Sequence, residues 1–260
     1  MILKYLVIYS LISFSILGTV GCSKPNLFQQ NDAQAEPSKL YEEGSKYFLG
    51  KDIPKDYQKA FSYFQLAAQK GLPIAQNDLA GMYFKGIGIQ KNEKEAYFWY
   101  EKSAKNHFVE AQYNLGLMYD SGYYVNKDRL KALEFYKLSS DQGYAKAQYN
   151  LANAYLSGNG VQKDILLALE LYNKAADQNL SEAQYNLANI YSDGSLIKQN
   201  NEKALELYTK VAKKGVPEAQ NNLAYMYANV YSDYEKAQFW FQKAADNGYV
   251  PAKEALEQLQ

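Results

Sequence analysis

Asparagine and tyrosine side chains recur in this sequence at a constant spacing, and they are its best candidates for binding chemistry. One row, in which neighbours are 36 residues apart, consists of Asp78, Asn114, Asn150, Asn186 and Asn222. An asparagine amide is both a donor and an acceptor, so a row of them can pair with the backbone of an extended peptide. The pattern therefore favours peptide recognition over covalent chemistry.

Two further rows accompany the first. The residues one place earlier are Asn77, Tyr113, Tyr149, Tyr185 and Asn221, and those three places later are Gly81, Leu117, Asn153, Asn189 and Tyr225. Tyrosine adds broad contact at low entropic cost. The candidate binding residues from the three rows are Asp78, Tyr113, Asn114, Tyr149, Asn150, Asn153, Tyr185, Asn186, Asn189 and Asn222.

The same rows have a second interpretation. Duplicated repeats keep the same residue without selection for binding, and an asparagine at such a position can simply bond a neighbouring helix. The pattern itself supplies no packing reason for Tyr149, Asn150 or Asn153, so we expect any binding function to lie with them and their counterparts.

Side chains that commonly catalyse reactions or bind metals are scarce. His107 is the only histidine, and it occupies the repeat position of Gly71. Histidine tolerates positive φ, so it fits the end of a helix better than a catalytic role. Cys22 is the only cysteine, which excludes an intrachain disulfide and a Cys/His zinc site. The glycines of Gly86–Gly88 and Gly158–Gly160 lie between two helices rather than between a strand and a helix, so they do not form a phosphate loop. We expect no catalytic residue, no metal and no cofactor.

Charge and composition narrow the function classes. Lysine plus arginine and aspartate plus glutamate both total 28, which gives a formal net charge of zero. A nucleic-acid-binding protein normally carries a basic footprint, so we expect no nucleic-acid partner. The hydrophobic content of 47% is typical of a folded chain.

The rows belong to a repeating helical unit. The string Ala-Gln-x-x-Leu begins at Ala75, Ala111, Ala147, Ala183 and Ala219. A constant period of this length indicates a solenoid. In the unit that begins at Ala147, Leu151 and Tyr155 continue one stripe of a helix. Ala152 is small, which would let a neighbouring helix approach closely, and Gly158 ends the helix.

A second helix completes each unit. Asp164 precedes it and is predicted to cap its amino end, as Asn92, Asp128 and Asn200 do in other units. Within this helix a small residue, Ala168, is followed by the bulky pair Leu171 and Tyr172. Asn179 ends the helix. The predicted repeats lie near 39–74, 75–110, 111–146, 147–182, 183–218 and 219–251, with a polar cap at 252–260. One unit alone cannot bury its faces, so residues 38–260 are predicted to stack into one solenoid.

The repeat resembles the Sel-one-like repeat, a subclass of the tetratricopeptide-like helical repeats. The residues that carry the resemblance are Ala147, Leu151, Ala152, Tyr155, Gly158, Gly160, Val161, Asp164, Ala168, Leu171, Tyr172, Lys174, Ala175 and Ala176. It implies an all-α, right-handed superhelix whose first helices line a concave face, and adaptor or scaffold roles in bacterial envelopes and host contact. One cysteine-rich branch of the family has been linked to penicillin binding, but no repeat here contains cysteine.

The first residues indicate export. Met1–Lys4 is positively charged, Tyr5–Leu17 is apolar, and small residues follow. This layout predicts a signal peptide over 1–21. Thr19–Cys22 resembles a bacterial lipobox, although Thr19 stands where leucine is usual. The resemblance implies that acyl chains on Cys22 hold the chain in a membrane; plain secretion with a free thiol is the alternative.

Residues 22–37 are rich in Ser, Pro, Asn and Gln and are predicted to form a flexible tether. Ser23 is the residue type associated with sorting to the outer membrane. We therefore expect an exported protein that is lipid-anchored in the cell envelope, in the outer membrane, on its periplasmic side or at the surface. We expect it to act as a non-enzymatic scaffold. Its concave face would bind a peptide or another protein, either from the envelope or from a host. A protein that binds cell-wall glycan or peptidoglycan, or an enzyme-like envelope protein, is the alternative.

Overall fold

The computed structural model describes residues 34–258, and this part of the chain contains thirteen α-helices and no β-strand. The helices are α1 (Pro37–Leu49), α2 (Tyr57–Gln69), α3 (Pro73–Lys85), α4 (Glu93–Lys105), α5 (Val109–Ser121), α6 (Arg129–Asp141), α7 (Ala145–Ser157), α8 (Ile165–Asp177), α9 (Ser181–Asp193), α10 (Asn201–Ala212), α11 (Pro217–Asn229), α12 (Tyr234–Asp246) and α13 (Val250–Gln258). The signal peptide and the lipidation site Cys22 predicted from the sequence lie outside the described residues, as does most of the tether. Helix α1 begins at Pro37, the last residue assigned to that tether.

The helices pack in consecutive pairs. Helices α1 and α2 form the first pair, and α11 and α12 form the sixth. The second helix of each pair also packs against the first helix of the next, and α13 packs against α12. The described residues therefore confirm an all-α solenoid of six helical pairs with a helix that closes its carboxyl end.

Side-chain caps start the second helix of every pair, as the sequence predicts. The Asp164 carboxylate accepts a hydrogen bond from the backbone N–H of Leu167, and the Asn92 side chain accepts one from Glu95. The equivalent caps are Asp56, Asp128, Asn200 and Asp233. Each of them satisfies a backbone donor that the helix itself leaves unpaired.

Left-handed residues end the helices, also as predicted. Gly158 has a φ of 75° and its N–H bonds the Ala154 carbonyl, which closes α7. His107 adopts a φ of 59° directly after α4, and its side chain is exposed. The prediction that this histidine serves as a helix end is confirmed.

Small residues allow the two helices of a pair to approach closely. Ala80, Ala152, Ala188 and Ala224 have no exposed surface. At Gly116, an added Cβ would lie 2.6 Å from the ring of Tyr136 on α6. The absence of a side chain at this position therefore sets the separation of α5 and α6.

The core of the solenoid is continuous from pair to pair. Tyr136 and Tyr172 are completely buried, and the cluster around them includes Leu151 and Leu187 from two different pairs. A core of this kind belongs to neighbouring repeats jointly, which is why a single repeat would not fold alone.

A candidate binding groove on the first-helix face

The three sequence rows lie on one surface, which we call the first-helix face: the side of α3, α5, α7, α9 and α11 that carries the rows, extended by Tyr41 of α1. Its row residues are partly buried, with Asn221 more deeply buried and Tyr225 exposed. The structure therefore places all the predicted binding residues on one face, but it does not bring all of them to one groove.

Hydrogen bonds join the first row to the second across every repeat boundary of this face. The Asn222 amide donates to the Tyr185 hydroxyl at 3.1 Å, and the Asn186 amide donates to the Tyr149 hydroxyl at 3.4 Å. At the amino end, the amide of Asn114 donates to the Asn77 side chain at 3.0 Å. Each partner lies 37 residues before its asparagine, so the bond links the first helices of consecutive repeats.

Asn150 lies at the boundary between the third and fourth repeats. Burial raises the pKa of the Tyr113 and Tyr136 hydroxyls, and a hydrogen bond from Asn150 to each of them opposes that rise. Asn150 thus acts on two tyrosine hydroxyls, one from the preceding first helix and one from the preceding second helix.

The third row bonds the second helix of its own repeat. The Tyr172 hydroxyl donates to Asn153 at 2.5 Å, and the Tyr208 hydroxyl donates to Asn189 at 2.5 Å. The rings of these tyrosines are buried, so their hydroxyls need a partner within the protein.

The structure adds a packing role for Tyr149, Asn150 and Asn153 that the sequence pattern does not supply, while the binding role of these residues stays a prediction. Each of them takes part in the hydrogen bonds that join neighbouring helices. The second interpretation of the rows, in which an asparagine bonds an adjacent helix, describes what these side chains do in the structure.

A groove of about 700 Å³ opens on the amino-terminal part of the first-helix face. This volume lies within the range of about 300–1,000 Å³ that ligand pockets span. Of the predicted binding residues, the groove is lined by Asp78, Tyr113 and Asn114. The remaining ones, which the groove does not include, are Tyr149, Asn150, Asn153, Tyr185, Asn186, Asn189 and Asn222.

Sequence reasoning missed most of the groove. Its other walls include Tyr41, Phe48, Phe84, Tyr100 and Tyr123. Most of these aromatic residues occupy packing positions of the repeat, so nothing in the sequence marks them as ligand contacts. The available signal was Gly81, which leaves a gap where the other members of its row have side chains.

Asp78 is the acidic residue that lines the groove. Its carboxylate accepts hydrogen bonds from the Tyr41 hydroxyl at 2.8 Å and from the Asn77 amide at 3.1 Å. Burial raises the pKa of Asp78, these two bonds lower it, and the negative charge of Glu110 raises it further. Burial and the Asp78 charge together raise the pKa values of Tyr41 and Tyr100 above their ordinary range, so both phenols are protonated donors at neutral pH.

Within residues 34–258, no cluster of His, Cys, Asp or Glu side chains could hold a metal ion. No helix in that range combines the length and the hydropathy needed to cross a bilayer.

Comparison with known proteins places this geometry in a family. The model of the Sel1 repeat matches the chain six times, at residues 40–72, 73–108, 109–144, 145–180, 181–216 and 217–249. A comparison with curated proteins gives no match.

Solved structures agree with that match. A Sel1 repeat protein from Oxalobacter formigenes has 31% sequence identity and a TM-score of 0.77, covering 85% of this chain and 91% of that one. A protective antigen present in uropathogenic Escherichia coli strains, which displays an SLR fold, has 28% identity and a TM-score of 0.78. The alignment covers 86% of this chain but 48% of the antigen, so this chain spans about half the antigen's length. An immunity protein from Pseudomonas aeruginosa, with 20% identity and a TM-score of 0.53, shares the fold. With six matched repeats that cover most of its length, the chain belongs to the Sel1 repeat family.

Proposed function

We propose that this protein is a scaffold, anchored in the bacterial cell envelope, whose first-helix face binds another protein or an extended peptide. Sel1 repeat proteins are generally non-enzymatic and typically act as scaffolds for protein–protein interaction. The observation that carries the proposal for this chain is the groove of about 700 Å³ across the first three repeats.

The groove has dimensions that suit an extended peptide. It is lined by residues from α1, α3 and α5, the first helices of three consecutive repeats. At about 3.3 Å per residue, six residues of extended chain span about 20 Å. A peptide of this size would contact all three repeats at once.

The groove offers contacts to a peptide but no nucleophile–base pair. Ser45 and Ser121 line it, while His107 lies outside it in the loop after α4. The Ser45 hydroxyl donates to the Tyr41 carbonyl, so no base activates it. We therefore propose that the protein recognises its partner without chemically changing it.

Photo-crosslinking in the native cell tests the binding face. A photoreactive phenylalanine analogue would replace Tyr123 or Lys85, which line the groove, and in separate variants Leu138 or Leu166, which are exposed on the second helices α6 and α8. We expect adducts of defined mass at the first two positions only. Equal capture at all four positions, or capture only at Leu138 and Leu166, would contradict the proposed face, and cell-wall fragments in place of protein would favour the glycan-binding alternative.

The proposed anchor is tested separately. We propose that the protein is exported and that acyl chains on Cys22 hold it in the outer membrane, with residues 22–37 as a tether. An alkyne fatty acid should label the wild-type protein and leave Cys22→Ser unlabelled, and the variant should move from the membrane fraction to the soluble fraction. Labelling that persists in the variant would place the lipid elsewhere, and no labelling of either protein would leave plain secretion as the explanation.

A further inference from the structure

One missing side chain creates the groove. In the third row, later repeats carry Leu117, Asn153, Asn189 and Tyr225, whereas the second repeat carries Gly81. Outside its own helix, an added Cβ at Gly81 would have only the Tyr100 hydroxyl within 4 Å, at 3.6 Å. The space that a leucine or asparagine fills in the later repeats is therefore empty here.

The same change leaves the hydroxyl of a largely buried tyrosine, on the groove wall, without an acceptor on the third row. In the fourth and fifth repeats, Tyr172 and Tyr208 donate to the asparagines of the third row. Tyr100 is their counterpart, it is 7% exposed and it lines the groove, but Gly81 offers it no acceptor. Among residues 34–258, no hydrogen-bond partner for the Tyr100 hydroxyl is present. Buried polar groups are normally paired, so an unpaired hydroxyl that faces a groove indicates a ligand.

Asp78 is the only acidic member of its row, and its carboxylate has spare capacity. A carboxylate offers about four lone-pair sites, and the donors Tyr41 and Asn77 use two of them. No lysine or arginine within residues 34–258 lies within 4.0 Å of it. A second carboxylate, that of Glu110, acts on Asp78 electrostatically, and its Oε2 atom is buried without a hydrogen-bond partner. A partly buried carboxylate without a cation is costly, and a positively charged ligand would relieve that cost.

The walls of the groove also favour a cation. Aromatic rings line much of it, and they stand at angles that expose faces and edges: Phe84 and Tyr123 meet edge-on at 5.1 Å, and Tyr113 and Tyr144 at 5.2 Å. An ammonium or guanidinium group over an aromatic face is attracted by the ring quadrupole.

Two lysines would repel a cationic ligand in the groove. Lys85 and Lys146 also line the groove, but both are exposed. Their charges are screened by solvent, whereas the charge of Asp78 is partly buried and therefore acts more strongly over the same distance. The partly buried carboxylate of Asp78 is therefore the charge that acts most strongly on a group inside the groove.

We propose that the groove receives one cationic side chain, a lysine or an arginine, of an extended peptide, with Asp78 as its counter-ion and a backbone carbonyl of the peptide as the acceptor for the Tyr100 hydroxyl. This inference rests on the proposed function, and it adds the chemistry that the first three repeats select. Gly81 is its steric determinant.

Peptide pools test the inference with the purified full-length protein. Four pools of amino-acetylated, carboxy-amidated hexapeptides would be randomised at all positions except one, which is fixed as lysine, arginine, norleucine or glutamate. Norleucine keeps the alkyl stem of lysine but has no charge. We expect the immobilised protein to retain the lysine and arginine pools at least about tenfold more than the norleucine pool, and the glutamate pool least. A tenfold preference corresponds to about 1.4 kcal/mol, which is the scale of one hydrogen bond to a charged group.

Three variants complete the test. Asp78→Asn introduces the residue that the other repeats carry and should abolish the preference for lysine and arginine. Asp141→Asn removes the same charge from exposed α6 and should leave that preference intact. Gly81→Leu copies Leu117 and should reduce retention of the cationic pools, while circular dichroism verifies that both groove variants remain folded.

The possible outcomes distinguish this inference from the proposed function. Retention of peptides without a preference for the cation, or a preference that survives Asp78→Asn, would overturn this inference and leave the proposed peptide-binding function standing. Preferential retention of the glutamate pool would mean that Lys85 and Lys146, and not Asp78, determine which ligand binds, and that the partner is anionic. No retention of any pool, together with no crosslinks on the first-helix face, would overturn both.

Discussion

The Nδ2 atom of Asn222 donates a hydrogen bond to the hydroxyl of Tyr185 at 3.1 Å, across the boundary between the fifth and sixth repeats. The same amide lies 3.5 Å from the Tyr208 hydroxyl and 3.3 Å from the Asn189 side chain. One asparagine thus joins three side chains from two helices of the preceding repeat. Consecutive repeats are held together by polar bonds on the first-helix face as well as by the apolar core.

This arrangement predicts energetic coupling between Tyr185 and Asn222. Tyr185→Phe and Asn222→Ala should each lower the free energy of unfolding by about 1 kcal/mol, because each leaves a partly buried polar group with one partner fewer. The double variant should cost less than the sum of the two, by about 0.5–1 kcal/mol. Urea denaturation of the four proteins measures this, and Tyr185→Phe with Leu166→Ala, a distant exposed residue, is the additive control. Full additivity of the Tyr185 and Asn222 changes would contradict the bond.

The close approach of α5 and α6 predicts opposite effects for two helical glycines. At Gly116 a Cβ would lie 2.6 Å from the Tyr136 ring, so Gly116→Ala should lower stability by about 1–3 kcal/mol through overpacking. At Gly81 the nearest atom is 3.6 Å away, so Gly81→Ala should raise stability by about 0.5–1 kcal/mol. Thermal denaturation compares the two, and a stabilised Gly116→Ala would show that the helices separate without cost.

The contrast between what the sequence predicts and what it misses has a physical basis. The cap at Asp164 and the helix end at His107 follow from local backbone geometry, which one residue type at one position can indicate. The bond between Tyr185 and Asn222 joins residues 37 positions apart, and it depends on how two helices are rotated relative to each other. The repeat pattern predicts that both residues lie on the first helices, but it does not indicate which rows form hydrogen bonds with each other.

The groove was missed for a related reason. A pattern of repeats directs attention to residues that are present in every copy, whereas the groove exists because Gly81 has no side chain. Its consequence, the unpaired hydroxyl of Tyr100, involves a residue that looks like ordinary core in the sequence. Of the binding residues predicted from the sequence, three line the groove: Asp78, Tyr113 and Asn114.

The left-handed conformation of His107 predicts that glycine is better at this position. His107 has a φ of 59°, and the same position holds Gly71 and Gly143 in other repeats. His107→Gly should raise the free energy of unfolding by roughly 1 kcal/mol, because a side chain is unfavourable in this conformation. The control is the preceding residue, Asn106, which has a φ of −89° and should gain nothing from the change to glycine. Equal effects of the two substitutions on the urea midpoint would show that backbone conformation is not the cause.

The raised pKa of Asp78 predicts that its charge reduces stability at neutral pH. Burial makes the folded protein hold this proton to a higher pH than the unfolded chain, whose ordinary aspartate pKa is 3.8. Between 3.8 and the raised pKa, the folded state binds more protons, so stability falls as the pH rises through this window and stays lower above it. Asp78→Asn removes the titration. The variant should therefore be more stable than the wild type at pH 7, and this advantage should shrink as the pH falls toward 3.8.

The capping aspartate Asp233 supplies a control of opposite sign. Hydrogen bonds from the Lys236 side chain and backbone hold its pKa below the ordinary value, so its ionised form favours folding. Its contribution is present above pH 3.8 and is lost as the pH falls through the lowered pKa. Asp233→Asn should thus lower stability at pH 7, with a loss that fades in acid, while Asp78→Asn should raise it. Urea denaturation of the three proteins between pH 2 and 7.5 measures both trends. An Asp78→Asn effect that does not change with pH would mean that this carboxylate is already neutralised in the folded protein, which would also remove its role as a counter-ion for a cationic peptide.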